Sequence, residues 1–447
     1  MKLETFKSII LVLLIGLSLL LTFGLWNYQS EFEELEDLEN VSETSVGGKQ
    51  METKSNVIEP SSIIFHAGEQ HLGYKNPQKN KQFFLDMQTW IFTDFSVRES
   101  NRNRAPKGYD AEIIFPDALP IQIAANLFHF PDTEEIEATW SFDRIYLYLD
   151  KDTATISVQF PSIDGRRQAM ASLNDSVNYN KLEKLFASRE GLTEYILVNE
   201  DEKEENNQRI FIPSNTDGLQ KRSLIVNKIP PDLFVRALFP NLTRVSRSDK
   251  GDRGIGEFYF ADSEREMRIQ HHETKLEFYN PNAVGNPSGS VNPVELIDRS
   301  ISRVDSHDGW FGDYSLYDLD AASNRVIYQM RYNGYPVHSR NGLSFIEIQF
   351  EGQDIYQYNR SLLKLSNEVN TEEVDVPSGE KVIQYVTNEL SDTWSIEQIQ
   401  NIQLGYDFQY QTDNSVILEP TWFIQINGEW KRLFPEQDTS ASQQRGD

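Results

Sequence analysis

The 447-residue sequence contains no cysteine. Disulfides, thiolate metal sites and cysteine nucleophiles are excluded together, so the folded parts must be held by their cores alone. Histidine is scarce, at seven residues, and basic charge is in deficit: 42 Lys and Arg against 69 Asp and Glu leave a net charge of −27. That balance speaks against recognition of nucleic acid or anionic lipid by the bulk of the chain, because binding to polyphosphate rests on clustered Lys and Arg. Long apolar runs are lacking too, with one exception.

The exception lies in MKLETFKSIILVLLIGLSLLLTFGLWNYQ, where Ile9 to Trp26 is unbroken by charge. At about 1.5 Å per residue it reaches roughly 27 Å, close to the hydrocarbon thickness of a bilayer. No small-x-small cleavage site follows it, only Phe23, Leu25, Trp26 and Tyr28, so an uncleaved transmembrane anchor over residues 1–30 is expected rather than a signal peptide. Lys2 and Lys7 precede the run and Glu31, Glu33, Glu34, Glu36 and Asp37 follow it. The positive-inside bias then places the N-terminus in the cytoplasm and the remainder outside the cell membrane, as a single-pass protein. Within the anchor, Ser18 and Thr22 form a small-x-x-x-small pair, while Gly16 and Gly24 share another stripe eight residues apart. Small residues let helix backbones approach in lipid, so these four are the expected partner contacts in the membrane.

What remains is rich in core material, with 12% aromatic residues, and its patterning predicts an α+β fold in several domains. Residues 31–56 are acidic and then Ser/Thr/Gly-rich, which is linker composition. A first α+β domain is expected over 57–190: a strand in VIEPSSIIF, a helix through KNKQFFLDMQTWIFTDF, two strands in DRIYLYLDKDTATISVQF and a helix in NYNKLEKLFASRE. A β-rich middle domain over 191–290 includes the short helix PPDLFVRALFP and one strand through EMRIQHHETKLEFYN. Residues 291–435 read as a tandem of helix-plus-antiparallel-sheet units. The first helix has Asn292 to cap it and Pro293 at its first position; the second starts at Ser378 with Val382, Val386 and Leu390 on one face. Each copy carries Asn-x-Val-Ile, at Asn324 and Asn414, and an Asn-Gly hairpin signal, at Asn333-Gly334 and Asn427-Gly428. Residues 436–447 form a polar tail, expected to be disordered.

A search for chemistry finds little. His66 and His71 are five apart with Gly68 between them, a spacing that fits neither a helix face nor a single strand face and reads as a loop. His271 and His272 are adjacent in an expected strand and so point to opposite faces; His129, His307 and His338 stand alone. DLDAASN has Ala322 where a calcium loop needs a ligand, and reads as a turn. No Gly-x-Ser-x-Gly, His-Glu-x-x-His or phosphate-cradling glycine loop is present. No catalytic, metal or cofactor-binding residue is therefore assigned, and the chain reads as non-enzymatic. The competing reading is a wall-active enzyme or carbohydrate-binding module: 69 acidic residues allow a carboxylate pair, and Trp90, Trp310, Trp422 and Trp430 offer aromatic surfaces. Their spacing favours burial.

The MKLE start with Lys7, the leucine-rich anchor ending at Trp26, PPDLFVRALFP in the middle and YNGYPV in the third region together resemble the YycH family. The likeness spans nearly the whole chain. It implies a membrane-anchored accessory regulator of the WalK (YycG) sensor histidine kinase, acting with a YycI-like sibling through the transmembrane helix and the ectodomain, and affecting cell-wall metabolism. The polar stretch from Asn40 to Asn56 departs from a tight stalk and argues against rigid transmission between ectodomain and membrane.

Overall fold

The structure, a computed structural model, describes residues 14–18, 33–34, 45–49, 52–100, 108–131, 136–198, 209–248, 257–285, 291–389, 398–411 and 413–434. They form an α+β fold built on two large, almost wholly antiparallel sheets.

The first sheet has nine described strands. In chain order they are β1 (Ser62–Ala67), β2 (Gln70–Tyr74), β3 (Thr93–Glu99), β4 (Ala111–Pro120), β5 (Ser141–Asp150), β6 (Thr155–Pro161), β7 (Arg167–Leu173), β8 (Leu192–Leu197) and β9 (Phe211–Pro213), and in space they run β9-β8-β2-β1-β4-β5-β6-β7-β3. Helices α1 (Gln78–Gln88) and α2 (Ser176–Ser188) bury Phe84 and Met87, and Tyr179 and Leu182, in its core. That core is largely aromatic: Phe84, Phe115, Phe128, Phe142 and Phe160 meet edge-on at centroid distances of 5.3–5.9 Å, the arrangement that ring quadrupoles favour. Asp175 caps α2 by accepting from the Val177 and Asn178 amides.

The second sheet takes the rest. Its strands are β10 (Gln220–Lys228), β11 (Ser246–Ser248), β12 (Phe258–Ala261), β13 (Glu266–Gln270), β14 (Lys275–Tyr279), β15 (Asp313–Asp320), β16 (Arg325–Tyr332), β17 (Tyr335–His338), β18 (Phe345–Glu351), β19 (Asp354–Ser361), β20 (Leu363–Glu373), β21 (Ile399–Gln411), β22 (Ser415–Ile426) and β23 (Glu429–Arg432). A two-residue strand, Glu33–Glu34, adds to the β11 edge. The order is β11-β12-β13-β14-β19-β18-β16-β17-β21-β22-β10-β20, with β15 also on β16 and β23 also on β22. β17 and β21 are parallel, joined through Val337↔Tyr406 and His338↔Asp407.

Three helices serve this sheet. α3 (Pro231–Leu238) starts on a proline and buries Phe234, Val235 and Leu238. In α4 (Pro293–Asp305) the Asn292 side chain accepts from the Val294 amide, and Leu296, Ile297, Ser300, Ile301 and Val304 face inward. α5 (Gly379–Asn388) buries Val382 and Val386; Leu390 lies outside the described residues. The described elements run α4, β15, β16, Asn333-Gly334 and β17, and later α5, β21, β22, Asn427-Gly428 and β23. Both Asn-Gly pairs close two-residue hairpins, between Tyr332 and Tyr335 and between Ile426 and Glu429, with positive φ at all four residues. Tyr328 and Trp422 each stand five residues before their Asn-Gly. The Tyr328 hydroxyl bonds Ser300 on α4, and the Trp422 indole donates to the Pro377 carbonyl just before α5. The two helices therefore cover equivalent sheet faces.

Several expected boundaries move. The helix expected through Lys79–Phe95 stops at Gln88, and the β-branched and aromatic residues after it turn into β3. The single strand expected over 266–280 is a hairpin: His271, His272 and Glu273 adopt φ of +52 to +64, between Gln270 and its partner Lys275. β8 and β9, expected in a middle domain, extend the first sheet through His71↔Tyr195 and Tyr74↔Leu192. The other middle strands are continuous with the C-terminal tandem, through β14 on β19 and β10 on β22. The 199–208 charge run and the 435–447 tail lie outside the described residues.

The two Asn-Gly turns separate backbone strain from contact. Gly334 and Gly428 share φ near +80, but a Cβ on Gly334 would meet the Gln78 amide nitrogen at 2.5 Å and Pro77 at 2.8 Å, whereas one on Gly428 meets nothing within 4 Å. Gly428→Ala should cost about 1 kcal/mol, the left-handed penalty alone. Gly334→Ala should cost at least twice that. Denaturant midpoints of the two variants check this.

Candidate functional site

The expected linker is in part not a linker. From Ser45 the chain lies along the loop that follows α4: the Val46 amide donates to the His307 carbonyl at 2.9 Å, Gly48 to Asp308 at 2.8 Å and Lys49 to Trp310 at 2.8 Å. Lys364 reaches back from β20 to the Gly47 carbonyl at 2.6 Å. Val46 is 2% exposed. A Cβ at Gly48 would sit 2.2 Å from the Asp308 carbonyl oxygen and 2.6 Å from that of Trp310, so only glycine allows this approach. Farther on, Lys54 pairs with Asp298 on α4 at 2.8 Å, and Val57 and Ile58 enter the core. The segment thus docks on the C-terminal half before it enters the first sheet at β1.

Beneath the dock lies a buried cation. Arg360, on β19, is 1% exposed. Its guanidinium donates to the Tyr358 hydroxyl at 2.7 Å, the Gly309 carbonyl at 2.6 Å and the Ser361 carbonyl at 3.3 Å. The Phe311 and Phe234 rings lie over it at 4.3 and 5.1 Å, in cation–π contact. The Tyr358 hydroxyl, accepting from Arg360, is also hydrogen-bonded to His307 Nε2 at 3.0 Å. Burial first, then the Arg360 and Arg303 charges, push His307 down to about 3, so it is neutral. The loop is gripped from both sides: carbonyls 307, 308 and 310 hold the docked segment, and carbonyl 309 holds Arg360.

A second polar cluster lies in the first sheet. His66 and His71 face each other across the β1–β2 hairpin with their Nδ1 atoms 2.8 Å apart. This corrects the expectation of a loop, because a two-residue turn at Gly68-Glu69 makes residues five apart direct cross-strand neighbours. Glu112 is fully buried, 3.0 Å from Arg144 and 3.6 Å from His66 Nε2. Burial alone would raise its pKa; Arg144 and His66 outweigh that and hold it below the ordinary range. Arg144 also donates to the Arg209 carbonyl, and Arg209 meets the Tyr109 hydroxyl. Among the described residues no group of three His, Asp or Glu is placed to hold a metal ion.

His271 and His272, expected in a strand, occupy the β13–β14 turn. His338 is buried against Phe423, rings 4.0 Å apart, and burial pushes it down to about 3. Three of the tryptophans offered for a carbohydrate surface are core residues, Trp90, Trp310 and Trp422 at 3%, 1% and 0% exposed; Trp430 is half-buried and donates to Tyr317. Of the four expected membrane contacts, Gly16 and Ser18 lie in the helical turn 14–18, with open space around Gly16. Thr22 and Gly24 lie outside the described residues. Among the described residues no helix is long and apolar enough to cross a membrane.

Comparison with known proteins adds the following. A family model described as YycH protein, N-terminal domain, matches residues 4–191, and one described as YycH protein, C-terminal domain, matches residues 207–438. The chain is 22% identical over 455 residues to the two-component system WalR/WalK regulatory protein YycH of Bacillus subtilis (strain 168), with 96% of each chain covered. It is similar to the crystal structure of YycH from Bacillus subtilis, with a TM-score of 0.65, 16% identity, and coverage of 87% of this chain and 98% of that one. At that identity the structural likeness speaks for the fold.

Two outcomes follow from the site. A trypsin time course should show cleavage after Lys49 in Gly48→Ala well before the parent, because the dock cannot close over a Cβ. The buried histidines also fix a pH dependence. His307 and His338 titrate near 3 when folded and near 6.5 when unfolded, so the unfolded chain binds more protons between those values and stability falls as pH drops. Each should cost roughly 2 kcal/mol between pH 7 and pH 5. Buried Asp117 and Asp318, raised by burial, act in the opposite sense only nearer the carboxylate range. Denaturant unfolding at pH 7, 6 and 5 should show the fall, reduced by about half in His338→Gln.

Proposed function

The chain belongs to the YycH family, and on that premise we propose that it is a non-enzymatic regulator of a two-component system. The observation that carries the proposal is the match over 96% of both chains to a relative named as a WalR/WalK regulatory protein. The finer reading is that it acts on a WalK-type sensor kinase together with a YycI-like sibling, from the outer face of the cell membrane, and thereby influences cell-wall metabolism. Support comes from the uncharged run Ile9–Trp26 with Lys2 and Lys7 before it and acidic residues after it. The docked segment adds a physical route: whatever moves residues 45–49 pulls on the loop that Arg360 holds.

The kinase and the full chain, co-reconstituted in membranes, test this. Phosphate incorporation into the kinase should change several-fold on adding the chain, and the two should co-purify. Replacing Gly16, Ser18, Thr22 and Gly24 together by Leu should weaken co-purification at equal membrane abundance. Gly48→Ala should leave co-purification intact and reduce the effect on phosphate incorporation. No change in incorporation and no co-purification would overturn the proposal.

A further inference from the structure

Between the two sheets lies a cavity of about 250 Å³. Tyr74 and Tyr195, from β2 and β8, form one wall; Tyr335 and Gln403, from β17 and β21, form the other; Asn80 of α1 and Arg331 of β16 complete it. Two polar atoms there are buried without a hydrogen-bond partner: Asn80 Oδ1 and Arg331 Nε. Asn80 is 4% exposed, and the Arg331 side chain is 8% exposed.

Arg331 is poorly neutralised for a buried cation. Glu59 stands 3.8 Å from Nε, beyond hydrogen-bonding distance, and its other oxygen is committed to Lys81 at 2.6 Å. The Pro60 carbonyl accepts from Nη2 at 3.2 Å. A guanidinium fork matches a carboxylate in plane and in charge, and a buried charge left short of partners is costly until one arrives. Asn80 Oδ1 is an acceptor and calls for a donor. The tyrosines offer ring faces with hydroxyls, and burial holds Tyr195 protonated, its pKa pushed up to about 12. The volume falls below the range of about 300 Å³ upward typical of sites for drug-sized ligands.

We propose that this cavity binds a small organic carboxylate that also carries a hydrogen-bond donor, of the size of an acylated amino acid. The carboxylate sits on Arg331, the donor on Asn80 Oδ1, and the body between the tyrosine walls. The ligand then touches both sheets at once, and Arg331 passes its position to Pro60, at the end of the docked segment. Binding is read without a kinase, so its failure and the failure of the regulatory reading are separable.

The test is isothermal titration of the full chain in mild detergent. N-acetylalanine supplies one carboxylate and one amide donor; N-acetylalaninamide keeps the donor and loses the charge; acetate keeps the charge and loses the donor. N-acetylalanine should bind saturably at one site, and the other two at least about tenfold more weakly. Arg331→Gln should lose at least about tenfold in affinity. Asn80→Asp sets a second carboxylate against the ligand and should do the same, and it decides the matter if Arg331→Gln does not fold, as judged by its melting curve. No saturable binding of N-acetylalanine tighter than about 10 mM, equal binding of the amide, or parental affinity in a folded Asn80→Asp would each overturn the proposal.

Discussion

The Arg360 guanidinium is the point from which the C-terminal half is arranged. A buried cation costs several kcal/mol unless its protons are placed. Here they are placed on neutral groups: a tyrosine hydroxyl, two backbone carbonyls and two aromatic faces. Each satisfied proton fixes something else. The Gly309 bond turns one carbonyl of the 307–310 loop inward, which leaves its neighbours facing the segment that includes Val46. Burial, with the Arg360 charge close by, keeps His307 neutral, and the Tyr358 hydroxyl joins the histidine ring to the guanidinium.

Glu112 and Arg144 play a comparable part in the first sheet with the opposite logic, since there a carboxylate answers the guanidinium. They lie on adjacent strands, β4 and β5, whose register sets Ile114 opposite Arg144 and Glu112 opposite Tyr146, so the ion pair is diagonal across the ladder. Slipping either strand by one residue would turn its own charge to the other face and leave the partner's buried charge without its counter-ion. The pair thus reinforces the register that the buried face of the sheet already sets.

What was legible in the sequence was local. The Asn292 cap, the prolines opening α3 and α4 and both Asn-Gly hairpins are features in which a residue's own stereochemistry decides its conformation, and the helices and turns stand where those residues require. What was not legible was made by distant partners. The dock at 45–49 uses backbone amides and carbonyls, which carry no sequence signal, and its one apolar anchor, Val46, is lost in a polar stretch; Gly47-Gly48 was the available hint. His66 and His71 needed the turn type at Gly68 to be known before their spacing had meaning. β8 had every mark of a strand, yet nothing in it names β2 as its neighbour. The cavity at Arg331 and Asn80 joins elements some 250 positions apart and was beyond reach of any motif.

The β17–β21 junction gives the large sheet a grain. Fifteen described strands are continuous on paper, but at this seam only two residue pairs, Val337↔Tyr406 and His338↔Asp407, carry the ladder, in the slanted parallel geometry that binds less well per residue. Ten strands lie on one side and five on the other, connected through the chain at Leu362 and through the stretch 229–245 that carries α3. Mechanically the sheet is a board scored across its width: a load applied at the docked segment, which grips the ten-strand side through the 307–310 loop and the five-strand side through Lys364, bends it along that score before it disturbs either panel.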